Sequence, residues 1–257
     1  MSSKFQQFKT LHEEQELFAL PNAWDAASAR TFQEKGFQAI GTSSAAVAGS
    51  LGFDDGEKMS FNDYLFVINR IHSVIQVPLT VDIETGYGTS NDEIYNNIQQ
   101  LVSLGVSGIN IEDSVINGAS RQLQDAGIFA ERLRYIRGRL EADKLELFIN
   151  IRCDTYLLNI ADKQAETQRR IEIYNNTGAD GLFLPCIRLE EDILAAARST
   201  KLSLNVMCIP GLPDFPTLYN LGVKRASMGP FMFSSIYGHV GKASEAIIAN
   251  KNFSAIL

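Results

Sequence analysis

Short apolar runs alternate with longer amphipathic stretches along the whole chain. The runs at 17–20, 39–42, 79–83, 109–111, 147–151, 182–184, 202–207 and 226–228 have strand length and predict buried strands. The stretches at 25–35, 62–75, 91–104, 130–142, 163–175, 190–198, 215–220 and 231–249 carry helical spacing. Ser60 stands where an N-cap is expected, and Gly36 and Gly105 follow the ends of their helices. The pattern gives eight strand-then-helix units at a spacing of roughly 30 residues, the size of one βα step. No Pro/Ser-rich linker or shift of composition divides the chain. The expectation is one α/β domain over residues 1–257, a (β/α)8 barrel of the TIM type, because closure leaves no sheet edge. An open doubly wound sheet would carry a glycine-rich phosphate turn after its first strand, and Pro21-Asn-Ala-Trp24 is not one.

Polar residues gather where the apolar runs stop. Val77-Pro-Leu-Thr-Val81 runs into Asp82 and Glu84, two residues apart, a spacing that on a strand puts both on one face. Like charges held that close need a cation or a shared proton. The Gly86-Tyr87-Gly88 turn lets the chain leave the strand sharply and open a pocket. Carboxylates without nearby His or Cys favour magnesium or manganese over zinc. Other strand ends bring Glu112 beside Asp113, Arg152 near Asp154, and Ser43 beside Ser44. In a barrel, these ends form one mouth. Asp113 points away from its neighbour and reads as structural. Arg152 reads either as a substrate clamp or as an ion-pair partner of Glu112 or Glu84. Asp55 either shapes the Gly56 turn or holds metal-bound water, and Trp24 either lines the pocket or packs.

Composition narrows the partners. The 257 residues are 45% hydrophobic and 21% charged, with a formal net charge of −7. An acidic surface disfavours nucleic acid and anionic membrane. The basic cluster Arg132, Arg134, Arg137 and Arg139 reads as a solvated helix face. The three cysteines, Cys153, Cys186 and Cys208, lie in or beside strand-like runs without a CxxC and read as buried free thiols. No run reaches the length of a membrane span and the N-terminus lacks a signal-type core, so a soluble, cytoplasmic protein is expected. His12, His72 and His239 fall in or beside helical stretches, and none is given a catalytic role.

Six segments carry a resemblance: Pro21-Asn-Ala-Trp-Asp-Ala-Ala-Ser-Ala-Arg30, Gly41-Thr-Ser-Ser44, Leu51-Gly-Phe-Asp-Asp-Gly56, Asp82-Ile-Glu-Thr-Gly-Tyr-Gly88, Ile111-Glu-Asp113 and Asn150-Ile-Arg-Cys-Asp154. In this order they resemble the isocitrate lyase/phosphoenolpyruvate mutase superfamily over nearly the whole chain. The resemblance implies a (β/α)8 barrel, a homo-oligomer (dimer or tetramer) whose last helix can exchange between subunits, and an α-oxo acid substrate bound on Mg2+, with Mn2+ as a substitute. It implies Asp82 as direct metal ligand, with Asp55, Glu84 and Glu112 holding the metal's waters. It also implies Ser43, with the backbone of Ser44 and Ala45, as the cradle for the substrate anion, and Arg152 as its clamp. Arg152 and Asp55 are the candidate catalytic residues.

The lyase branch of that superfamily carries a Lys-(Lys/Arg)-Cys-Gly-His loop after Ile-Glu-Asp. Here the loop reads Ser114-Val-Ile-Asn-Gly-Ala-Ser-Arg-Gln-Leu123, without Cys, Lys or His. The mutase and phosphonopyruvate hydrolase branch carries a lysine about where Gly118 sits and a histidine near Pro185, and both are missing. The leading expectation is a magnesium-dependent lyase or decarboxylase of a small α-oxo (di)carboxylic acid, acting through an enolate. The alternatives are a hydrolase of an oxo acid or phosphonopyruvate and a non-catalytic α-oxo acid-binding barrel.

Overall fold

The computed structural model describes residues 2–14, 16–117 and 120–257. The chain runs α1 (Lys4–Glu13), β1 (Phe18–Leu20), β2 (Asn22–Ala23), α2 (Ala26–Glu34), β3 (Ile40–Thr42), α3 (Ser44–Ser50), α4 (Phe61–His72), β4 (Leu79–Asp82), α5 (Asn91–Ser103) and β5 (Gly108–Glu112). It continues with β6 (Ser114–Asn117), β7 (Ser120–Leu123), α6 (Ala126–Ala142), β8 (Phe148–Arg152), α7 (Lys163–Tyr174), β9 (Gly181–Phe183), α8 (Glu190–Ser199), β10 (Ser203–Met207), α9 (Phe215–Asn220), β11 (Val223–Ser227) and α10 (Phe231–Asn250).

The main sheet has the order β1-β11-β10-β9-β8-β5-β4-β3-β2, and its paired strands are parallel. Only Pro21 separates β1 from β2. Proline has no N–H for a ladder, so one strand reads as two, the first half paired with β11 and the second with β3. The Pro21 carbonyl still accepts from Gly41 N–H at 2.8 Å. Counting β1 and β2 as one strand gives the (β/α)8 barrel that the sequence predicts. Helix starts follow local chemistry: Asp25 and Ser90 form capping boxes, and Ser60 caps α4 as expected.

Four features depart from the sequence reading. α1 is an additional helix, and it packs Phe8 and Leu11 with Phe18, Leu20, Ala39 and Phe148 at one end of the barrel. His12 on that helix is therefore buried rather than on a helix surface, and its ring stacks on Phe148 at 4.1 Å. The segment after Asp113 forms an antiparallel hairpin, β6–β7, rather than an irregular loop; the position of Gly118 lies outside the described residues. Of the thiols, Cys153 is buried, Cys186 half-buried and Cys208 exposed, because β10 ends at Met207 and the chain turns outward there.

The basic cluster on α6 is tethered rather than merely solvated. Arg137 pairs with Asp180 at 2.5 Å, Arg139 with Asp92 at 3.1 Å, and Arg132 donates to Asn91 at 3.1 Å. Trp24 packs edge-on against Phe32 and Phe233. α10 buries none of its residues, although Ile236, Tyr237, Val240 and Ile248 are all exposed on it. Among the described residues, no helix is long and apolar enough to cross a membrane.

Candidate active site

A cavity of about 190 Å³ opens at the C-terminal ends of the strands. Asp82, Asp55, Ser43, Ser44, Ala45 and Arg152 all line it. Glu84 and Glu112 are not on its lining; they lie behind it, 2% and 0% exposed. A groove of about 790 Å³ between the segment after β10 and the start of α10 is larger but overwhelmingly apolar. It lacks convergent charged groups, so the chemistry belongs to the smaller cavity.

Asp82 is the last residue of β4. Its backbone N–H donates to Thr42 Oγ1 at 3.1 Å, and its carbonyl accepts from Tyr64 Oη at 2.8 Å. Ser44 Oγ donates to Asp82 Oδ2 at 3.1 Å, while Oδ1 is buried without a hydrogen-bond partner among the described residues. Burial raises the Asp82 pKa, and Arg152 opposes the shift.

Glu84 corrects the sequence argument. β4 stops at Asp82, and Glu84 lies beyond it with φ +51°. Strand alternation therefore does not place its carboxylate; a left-handed turn does. Glu57 N–H donates to both of its oxygens, at 3.2 and 3.0 Å, and Tyr87 Oη donates at 3.1 Å. Burial, then the charges of Asp55 and Asp82, push Glu84 up to about 7. Such a group is poised to take a proton or a cation near neutral pH.

Arg152 ends β8, in register with Glu112. Its Nε and Nη2 both donate to Asp154, at 2.7 and 3.2 Å. Its Nη1 lies 3.0 Å from Glu112 Oε2, without hydrogen-bond alignment, and 3.8 Å from Asp82 Oδ2. Burial lowers the Arg152 pKa, but Asp154 and Asp82 outweigh it and the net shift is upward. One edge of the guanidinium is thus committed to Asp154, and Nη1 is ion-paired with Glu112, while the side chain as a whole lines the cavity. Ser43 Oγ accepts from Ala46 N–H at 3.3 Å as the cap of α3, which sets the first turn of that helix at the cavity wall. Asp113 is structural, as expected: it accepts from Arg170 and Tyr174, each at 2.8 Å, and from Asp154 N–H at 2.9 Å.

Sequence reasoning missed Arg121. The hairpin lowers this side chain among the carboxylates, where it contacts Glu112 Oε1 and lies 3.7 Å from Asp154, 3.8 Å from Asp55 and 3.9 Å from Glu84. Nothing in a loop sequence reports that reach. Asn110, which also lines the cavity, was missed as well. Asparagine is depleted in strands, so its place inside the run 108–112 was a usable signal.

Among the described residues, no three His, Cys, Asp or Glu side chains converge closely enough to coordinate one ion together. The donor set nonetheless fits a hard cation held by one carboxylate and its waters. Asp82 Oδ1 and Glu112 Oε2 are buried oxygens without hydrogen-bond partners, and all the nearby anionic donors are oxygens.

Comparison with known proteins places the chain in a family. The sequence matches the family described as phosphoenolpyruvate phosphomutase over residues 8–248. It is 33% identical over 240 residues to an uncharacterized protein of Mycobacterium tuberculosis, covering 93% of this chain and 88% of that one. It is 28% identical over 228 residues to an oxaloacetate decarboxylase of Pseudomonas fluorescens, covering 86% and 77%. Among solved structures, a putative phosphonomutase from Burkholderia cenocepacia superposes with a TM-score of 0.88 at 32% identity, covering 95% of this chain and all of that one. The barrel and these matches agree: the chain belongs to the phosphoenolpyruvate phosphomutase family, within the isocitrate lyase/phosphoenolpyruvate mutase superfamily of lyases and mutases.

Proposed function

We propose that the protein is a magnesium-dependent enzyme that cleaves a carbon–carbon bond of a small 2-oxo diacid through an enolate, with oxaloacetate decarboxylation the reaction its groups suit best. The observation that carries this reading is the meeting in one cavity of a partnerless Asp82 oxygen and the Arg152 guanidinium. A cavity of about 190 Å³ is small beside drug-sized sites of roughly 300–1,000 Å³ and suits a short diacid.

Asp82 would hold the ion directly, and Asp55, Glu84 and Glu112 would hold its waters. When bound, the ion supplies Lewis acidity that draws charge onto the 2-oxo oxygen. Arg152 would bind a substrate carboxylate through Nη1, which pairs with Glu112 in the structure and which a substrate anion would share, and the first turn of α3 at Ser43, Ser44 and Ala45 borders the anion. As the bond to the departing carboxylate breaks, its electron pair passes to the C2–C3 bond and carbon dioxide leaves. The resulting pyruvate enolate then takes a proton at C3 from water as the C2–O charge returns to a carbonyl. This reaction needs no acid on the hairpin. That suits a segment whose described residues from Ser114 to Leu123 include no Cys, Lys or His. An oxaloacetate decarboxylase among the relatives supports the same direction. The exposed apolar side chains of α10 support a homo-oligomer assembled through that helix.

The test is pyruvate formation from oxaloacetate, with magnesium and with chelator, in wild type and Asp82→Ala. Magnesium-dependent turnover lost in a folded Asp82→Ala variant is expected. Turnover indifferent to magnesium or to Asp82 would remove the metal from the reading. Retained oxalate binding without turnover of any 2-oxo acid would leave an oxo-acid-binding barrel.

A further inference from the structure

Beneath the mouth, the barrel interior carries a second set of polar side chains. Arg225 on β11 is 0% exposed, and no carboxylate lies within ion-pairing distance of it among the described residues. Around it stand Asn110 on β5, Asn150 on β8 and Asn205 on β10, with Asn205 in register with Arg225. A buried guanidinium without a counter-charge is costly, and burial depresses the Arg225 pKa to about 9. A methionine would fill the same space without that cost, so the charge is kept for something other than packing.

The hydrogen bonds indicate what. Arg225 Nη2 donates to Asn110 Oδ1 at 3.1 Å, and Asn150 Nδ2 donates to the same oxygen at 2.8 Å. A guanidinium has donors only. The Asn110 atom facing it must therefore be the oxygen, because a turned amide would set N–H against N–H. Gly181 makes room for this arrangement: a Cβ there would come within 2.4 Å of Asn150 Oδ1. With its oxygen doubly engaged, the Asn110 amide presents Nδ2 elsewhere. Asn110 lines the cavity in register with Asp82, and among the described residues its Nδ2 has no partner.

Resting on the oxo-acid reading above, we infer that Asn110 is a substrate-binding donor to an oxygen of the bound 2-oxo acid. Arg225 and Asn150 are then positioning residues that hold its amide with Nδ2 toward the cavity. The ligand atom it recognises is an acceptor oxygen between Asp82 and Arg152. A ligand presenting a donor at that point would meet N–H against N–H and be rejected.

Oxalate binding in the presence of magnesium, measured by calorimetry beside melting temperature, tests this. Asn110→Leu keeps the volume and removes the donor, and it should weaken oxalate by roughly tenfold, with a lower melting temperature as well because Arg225 and Asn150 lose their shared acceptor. Asn110→Asp puts an acceptor there and should weaken it further. Arg225→Met should weaken oxalate in the wild-type background and add nothing in the Asn110→Leu background, while melting temperature holds or rises. A merely structural Arg225 gives the reverse: a lower melting temperature, unchanged affinity, or an effect independent of Asn110. If Arg225→Met does not fold, Asn150→Ala removes the other donor to the same oxygen and must show the same dependence on Asn110. Asp82→Ala separates the two readings. Binding lost there but intact in Asn110→Leu overturns this inference alone, and no binding by wild type overturns both.

Discussion

Removing the Arg121 guanidinium tests the electrostatics of the mouth most directly. Its nitrogens lie 3.7–3.9 Å from carboxylate oxygens of Asp154, Asp55 and Glu84, and it also contacts Glu112. At an effective dielectric constant near 20, each such pair attracts by roughly 4 kcal/mol before the desolvation cost is set against it. Glu84, Glu112 and Asp154 are almost wholly buried, so Arg121→Ala leaves them short of a counter-charge. Breaking a buried pair by deleting one partner costs about 3–5 kcal/mol. In a chain of this size, even the low end of that range corresponds to a melting temperature lower by roughly 6–12 °C. A divalent cation seeks the same oxygens. In wild type it competes with a cation already seated on the hairpin, and in Arg121→Ala it does not. The expected result is an apo variant that melts earlier, binds Mn2+ about tenfold or more tightly, and regains more stability on adding it. Calorimetric titration with Mn2+ and thermal melts at several Mn2+ concentrations read both quantities. Unchanged or weaker Mn2+ binding by a folded Arg121→Ala protein would refute the competition.

Two further outcomes follow from buried groups. Arg152→Lys forfeits the two-point hold on Asp154 as well as Nη1, so oxalate affinity should fall by about 2–3 kcal/mol, and stability by a similar order; a lower melting temperature with intact affinity would assign Arg152 to the scaffold alone. His12 is held down to about 3 by burial and then by the charge of Arg225, whereas the unfolded chain protonates it near 6.5. The unfolded state therefore binds the extra proton as pH falls below 6.5, and stability is lost from there down toward pH 3. Between pH 7 and pH 4, wild type should lose about 3 kcal/mol relative to His12→Phe in urea unfolding; a pH-independent difference between the two proteins would contradict a buried neutral imidazole.

The sequence alone determined the repeat of strand and helix, the parallel barrel, and the strand ends at which Asp82, Ser43, Glu112 and Arg152 sit. Those are local properties: a continuous apolar run buries both faces of its strand, and the barrel brings every strand end to one mouth. The six quoted segments gave the family for the same reason, since turns such as Thr85-Gly86-Tyr87-Gly88 are written in contiguous residues. Tertiary structure decided what depends on distant residues meeting. Glu84 joins the site through a left-handed turn and the Glu57 N–H, not through strand alternation. Asp154 takes one edge of Arg152, and Arg121 reaches across from the hairpin. His12 is buried because α1, a helix outside the predicted repeat, packs over the end of the barrel. Arg225 and the asparagines at 110, 150 and 205 lie on four strands spread over more than 100 residues of chain. Only closure of the barrel turns them into one buried group, because hydrogen-bond partners are fixed by distance and direction, neither of which sequence spacing encodes.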